Sequence, residues 1–442
     1  MNTTLFTTTI NKPTRKYTLL MSMIAISMGS MSLSVQAQTT QSSQQEIEQL
    51  RQEVQALRAL VEQQQRQTAV VTAHVAATPA PASKPVMKIA SGAEFNLYGN
   101  IRADASYQAE GGGKDMPYNQ INSVPLLEGN SEQSDRFRST LSATRLGMDF
   151  KAPVGAGDKA LSGKVEVDFL GGAGLDNLRI RHAYMSYANW LIGQTWSNFA
   201  VPDYMPETVD ALAYVGGAVK RTPQVRYTTK FSPQTNLVVA AEDPKDKLVS
   251  DKAINQRFPA LTARLNHQFA DNLNVSVRAM GHEKRIDTDE EMAWGVGVGT
   301  KYEIVPGTTI KADYYHVKGD NSFVSFANPG VLVKDGNLIQ SEFDSITVGL
   351  TQQFNDKLRG TLGYGYMKFD DDQDYINALS NKSAANKDLW QAWANVFYSP
   401  TKPLSFGLEY VYGEREAVAA ATPNGSNKGE DNRINAVAIY NF

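Results

Sequence analysis

The chain has 442 residues, no cysteine and a formal net charge of −3. A length like this suggests two or three soluble domains, the near-neutral charge gives a nucleic-acid partner no support, and the lack of cysteine excludes disulfides, Fe–S clusters and thiolate zinc sites. After the N-terminus no apolar run reaches the ~18 residues a membrane-spanning helix needs, but a β-barrel escapes that test because only alternate residues face lipid.

Lys12, Arg15 and Lys16 precede an uncharged stretch from Tyr17 to Val35, and Val35-Gln36-Ala37 has the small-residue character of a cleavage site. Residues 1–37 are therefore predicted to be a secretory signal peptide, with a retained membrane anchor as the alternative. Residues 38–67 carry a short heptad run. Ile47, Val54 and Val61 fall at a, Leu50 and Leu57 at d, and Glu46 and Glu53 at g face Arg51 and Arg58 at e. This pattern favours parallel self-association, and the a/d choice leans toward two strands. With only about three heptads, a lone amphipathic helix is the alternative. Residues 68–92 contain Thr78-Pro79-Ala80-Pro81 and Lys84-Pro85, a semi-rigid spacer that would tether the helix in the periplasm.

Residues 93–442 alternate. Phe95, Leu97, Gly99, Ile101, Ala103, Ala105 and Tyr107 share one face, and Asn96, Tyr98, Asn100, Arg102, Asp104, Ser106 and Gln108 share the other. Period two over about a dozen residues predicts a long half-buried strand. The pattern returns along the chain, with strands expected to begin near 93, 137, 160, 178, 190, 221, 235, 258, 272, 291, 307, 341, 357, 388, 403 and 431. Short turns alternate with long polar loops, and apolar faces end in Tyr, Trp or Phe. That is the arrangement of an all-β, sixteen-stranded antiparallel transmembrane barrel with periplasmic turns, outer loops and aromatic girdles. The final strand places Ile434, Ala436, Ala438, Tyr440 and Phe442 on one face, up to the last residue given.

Several motifs resemble the porin superfamily: Leu97-Tyr98-Gly99 in the first strand, Thr144-Arg145-Leu146-Gly147 in the second, and Gly193-Gln194-Thr195-Trp196 before a long loop. The whole arrangement is similar to the DcaP-like porins, as is Phe406-Gly407-Leu408-Glu409-Tyr410-Val411-Tyr412-Gly413-Glu414-Arg415. The resemblance implies a homotrimer in the outer membrane, among lipid and lipopolysaccharide, that takes up dicarboxylates and related small anions. It also implies that the loop after the fifth strand folds inward as a constriction, with Asp203, Glu207 and Asp210 on it.

Parity assigns Arg102, Arg145, Lys164, Arg179, Arg181, Arg226, Lys230, Arg264, Arg278, Lys301, Lys311 and Arg359 to inward faces, against Asp104, Asp149, Glu166, Asp168, Glu303 and Asp313. A basic surplus focuses a positive potential in the lumen and favours anions. Arg102, Arg145, Arg179, Arg181, Arg226 and Lys230 are the expected pore-lining, anion-binding residues, because they flank the inward loop. Ion pairing to an inward acid such as Asp104 or Asp149 is the alternative role for each arginine. No catalytic residues, metal site or cofactor are expected: His74, His182, His267, His282 and His316 share no ligand spacing, and no nucleophile motif accompanies them. His182 falls on the apolar face of its strand. The rival reading is a structural barrel that anchors to the cell wall through its coiled coil.

Overall fold

The computed structural model describes residues 86–89, 92–113, 116–127, 134–154, 160–172, 175–245 and 256–442. The predicted signal peptide, the coiled-coil segment and most of the spacer lie outside the described residues. Among those residues sixteen antiparallel strands form one closed wall. In chain order they are β1 (Glu94–Glu110), β2 (Arg136–Thr140, resuming as Arg145–Pro153), β3 (Ala160–Asp168), β4 (Arg179–Tyr187), β5 (Trp190–Trp196), β6 (Arg221–Lys230), β7 (Thr235–Glu242) and β8 (Ala260–Ala270). There follow β9 (Leu273–Arg285), β10 (Glu290–Val305), β11 (Thr308–Lys318), β12 (Glu342–Asn355), β13 (Leu358–Phe369), β14 (Asn386–Thr401), β15 (Leu404–Ala417) and β16 (Lys428–Asn441). Each begins within three residues of its expected start.

Closure is made by β16 pairing with β1, as in Asn441↔Asn100 and Val437↔Asp104. At the seam the Phe442 amide donates to the Gly99 carbonyl at 3.1 Å, and Gly99 returns the bond at 3.3 Å. A closed sheet has no unpaired edge, which a bilayer demands of any strand structure. Leu97, Ile101, Leu146, Ile180 and Ile192 stand on the outer face, exposed on this chain, where only lipid or protein could cover them. At the turn end of the wall the Trp190 and Tyr227 rings pack with centroids 4.8 Å apart. Trp390 and Tyr412, at 5.6 Å, do the same near the loop end.

The turns between β8 and β9 and between β10 and β11 are two residues long, and the latter uses Gly307 at φ +83°, a conformation cheap only for glycine. The other end carries loops 111–135, 197–220, 243–259, 319–341 and 370–385. Loop 319–341 contains a small hairpin, Val331–Lys334 with Asn337–Gln340. Helix α1 (Gln373–Ala378) in the next loop is capped by the Asp372 carboxylate.

Two features depart from the simple alternation. The inward faces near the loop end are apolar, with Met280, Tyr315, Val317, Phe343, Met367, Phe369 and Leu389 buried there. They meet Ile121 and Val124 of loop 111–135, Phe199 and Val215 of loop 197–220, and Phe323 and Val324 of loop 319–341 in one cluster. The inner surface there faces folded loops instead of water, so polarity no longer marks it. The second departure is a register shift between β3 and β4 at Glu166/Val167. It leaves Arg181 as the extra residue and turns His182 inward. Contrary to expectation, His182 is therefore not on the apolar face; it is buried with Nδ1 3.0 Å from Thr195 Oγ1.

Candidate functional site

The loop after β5 folds into the lumen, and the inward faces of the wall explain why it settles there. Gly299 and Gly365 occupy inward positions where a pore would ordinarily carry a polar side chain. A Cβ at Gly299 would collide with the Tyr204 ring, and one at Gly365 with the Val215 carbonyl. Glycine here permits close backbone approach. The loop is then tied along β7 to β16. Asn198 N–H donates to Glu242 at 2.8 Å, Tyr204 Oη to Asn274 at 2.8 Å, and Trp393 Nε1 to the Glu207 carbonyl at 3.1 Å. Glu409 accepts from Val209 N–H at 2.9 Å and from Tyr214 Oη at 2.5 Å.

The three acids expected on this loop are all engaged. Asp203 meets Arg264 Nη1 at 3.3 Å. Glu207 takes both Nε and Nη2 of Arg359, at 2.8 and 2.7 Å. Asp210 is buried, 3.2 Å from Arg433, and accepts the Asn119 and Leu212 amides at 2.8 and 2.7 Å. Burial pushes the Asp210 carboxyl up, to about 7, against the pull of Arg433 and those amides, and nearby Glu409 adds repulsion. All three therefore anchor the loop, and Asp203 and Glu207 each neutralise an arginine.

The predicted basic residues all lie inward, in two kinds of setting. Arg102 pairs with Asp104 at 2.7 Å and also donates to the Val209 carbonyl at 2.5 Å, so it ties the loop's far end to β1. Arg179 grips Asp168 through Nε and Nη2 at 2.9 and 2.6 Å. Arg181 bridges Glu166 at 2.6 Å and Asp168 at 3.0 Å. These three take the ion-pair role. Arg145, in contrast, makes no hydrogen bond or ion pair with any described residue, and its Nε is buried without an acceptor. The acids within its electrostatic range are spent, Glu166 on Arg181 and Tyr98 and Asp168 on Arg179 and Arg181. Arg226 has only neutral partners, Gln224 Oε1 at 2.8 Å and the Trp196 carbonyl at 2.5 Å. Lys230 is exposed near the turn end of β6.

Arg221 and Trp196 are not among the anion-binding residues expected from the sequence. The Arg221 guanidinium lies 4.4 Å from the Trp196 ring centroid, Arg181 lies 6.0 Å from it, and His182 packs edge-on at 5.5 Å. Arg221 is within electrostatic range of Arg145, Arg179 and Arg181. Its position at the loop's return to the wall was the available signal. The loop anchors run along β7–β16 and end on β1, so the remaining passage lies against β2–β6. There Arg145, Arg221 and Arg226 stand without a carboxylate among the described residues. Such a surface can hold and pass oxyanions, since a guanidinium forks onto two oxygens.

A profile of the DcaP outer membrane protein family matches residues 31–442. The chain belongs to the DcaP outer membrane protein family. The crystal structure of the outer membrane channel DcaP of Acinetobacter baumannii is 38% identical, covers 80% of this chain and 99% of that one, and superposes with a TM-score of 0.73. An anion-selective porin from Comamonas acidovorans is 9% identical over 79% of this chain and 100% of that one, with a TM-score of 0.53. OmpT of Vibrio cholerae is 15% identical over 81% and 100%, with a TM-score of 0.50. These two likenesses concern the fold alone. Among curated proteins none matches. This DcaP-family chain is thus a porin-type barrel of the outer membrane.

Proposed function

We propose that this DcaP-family barrel passes small anions, dicarboxylates among them, by passive diffusion. The observation that carries the reading is an imbalance at the constriction. Every acid of the inward loop is paired with a wall arginine, while Arg145, Arg221 and Arg226 have no acid partner. In a narrow passage with low-dielectric walls, uncompensated charge concentrates counter-ions. Two or more separated guanidiniums suit a solute that carries two carboxylates, and the exchange of partners along the band keeps binding weak enough for release. The chain is proposed to work as a homotrimer amid lipid and lipopolysaccharide, with residues 38–67 in the periplasm after removal of 1–37.

Reversal potential across a KCl gradient in a planar bilayer tests the reading. The expected outcome is anion selectivity, with current reduced by millimolar succinate. Arg145→Gln combined with Arg221→Gln is expected to lower the chloride-to-potassium permeability ratio several-fold. Cation selectivity of the unmodified protein would sink the proposal.

A further inference from the structure

We infer that Lys301 and Lys311 form a separate carboxylate-binding subsite on the periplasmic flank of the inward loop, across the lumen from the arginines. The inference rests on the anion-channel reading and adds a second station to it.

The two lysines are direct cross-strand partners of β10 and β11. Both take inward positions: the neighbouring inward residues Gly299 and Asp313 are buried, while Lys301 is open to water and Lys311 is half-buried. Like charges directly opposite each other weaken a strand pair. A fold keeps such a conflict where something outside the ladder relieves it, and functional sites are where local rules are broken.

Nothing described within the chain supplies the relief. Each inward carboxylate nearby is committed elsewhere. Asp313 is held by Arg278, Asp203 by Arg264 and Glu207 by Arg359. Glu303, the next inward residue of β10, accepts the Gly307 amide at 3.0 Å. Asp203 and Glu207 act on Lys311 only at longer range, and Lys301 repels it. Neither lysine has a hydrogen bond or an ion pair with any described residue. Two ammonium groups side by side, water-accessible and unpaired, present up to six donors to one oxyanion.

Placement makes the pair a station on a path. The Tyr204 ring covers Gly299, one inward step toward the loops from Lys301. Pro206 covers Gly349, the β12 partner of Lys311. The lysines therefore emerge from beneath loop segment 204–206 on the side of the short turns. An anion that has cleared the loop meets them next. Conduction through a selective pore works best over several weak sites, and this pair would supply one beyond the constriction.

The test uses the full-length protein in oriented bilayers, with succinate added to one side at a time. Lys301→Gln with Lys311→Gln is expected to weaken block from the short-turn side by about tenfold, the size of one lost charge-assisted contact. Block from the loop side should change little. Lys301→Arg with Lys311→Arg should restore the short-turn block, and the unheated gel mobility of each variant checks that the barrel has folded. Unchanged block from both sides in the glutamine variant, with anion selectivity intact in the unmodified protein, overturns the subsite alone. A cation-selective or unblocked unmodified protein overturns both readings.

Discussion

A Cβ on Gly365 would run into the Val215 carbonyl of the inward loop. Valine there cannot be accommodated by a side-chain rotation, because the obstacle is backbone. Gly365→Val is expected to lift the loop's second half from β13 and to raise single-channel conductance in KCl. Unchanged conductance would mean that the loop is not seated at this point. The same scale shows what the sequence can and cannot rank. Parity puts Arg102 and Arg145 on the same inward face, since one face meets lipid and the other does not. It could not separate them. Arg102 has Asp104 two residues along its own strand, within reach of a long side chain. Arg145 has Glu166 and Asp168 on the neighbouring strand, but Arg181 and Arg179 occupy them first. Which cation remains unpaired is decided by register across several strands, a property no single strand's pattern contains.

At the level of elements, loop 319–341 is clasped to β9 by Asp320, which bonds Lys284 Nζ at 2.6 Å and His282 Nδ1 at 2.8 Å. Burial pushes the Asp320 carboxyl up, but Lys284 and the His282 hydrogen bond pull harder, so it sits below the ordinary carboxylate range. A carboxyl depressed by folding contributes its full stability above its unfolded pKa, roughly 4, and loses it only as pH falls through the lower folded value. The loop is therefore expected to resist protease from neutral pH down to about pH 4. Asp320→Asn should expose it across that range, because breaking one member of a buried pair costs about 3–5 kcal/mol. Equal digestion of both forms would show that the clasp does not hold the loop. Strand positions were legible because two solvents, lipid and water, write a period of two into the chain. The break in β2 between Thr140 and Arg145, the extra residue at Arg181 and the apolar inner cluster were not legible. Each arises where the wall meets a folded loop, and the pattern then reports packing in place of solvent.

The whole barrel is lopsided. Strands β3, β4, β5 and β7 have 9, 9, 7 and 8 residues, whereas β10, β12, β14, β15 and β16 have 16, 14, 16, 14 and 14. At roughly 3.3 Å per residue and a tilt near 40°, the short strands rise only about 18–23 Å, less than the ~25 Å apolar band of a membrane barrel. The long strands exceed it comfortably. Lipid matches the tall side well and the short side poorly, so mismatch favours covering the short side with protein. The proposed trimer would meet this demand by burying the outer face of β3–β5, where Ile180, Met185 and Ile192 stand exposed on a single chain. Arg145 and the pair Arg221 and Arg226 lie on the flanking strands β2 and β6, so assembly would stiffen the wall between them. Ile192→Arg is accordingly expected to yield folded monomers, read by cross-linking and native mass. Leu350→Arg, on the tall side, should leave the trimer count unchanged while costing about 2–4 kcal/mol of barrel stability in lipid. Trimers that survive Ile192→Arg intact would place the contact elsewhere on the wall.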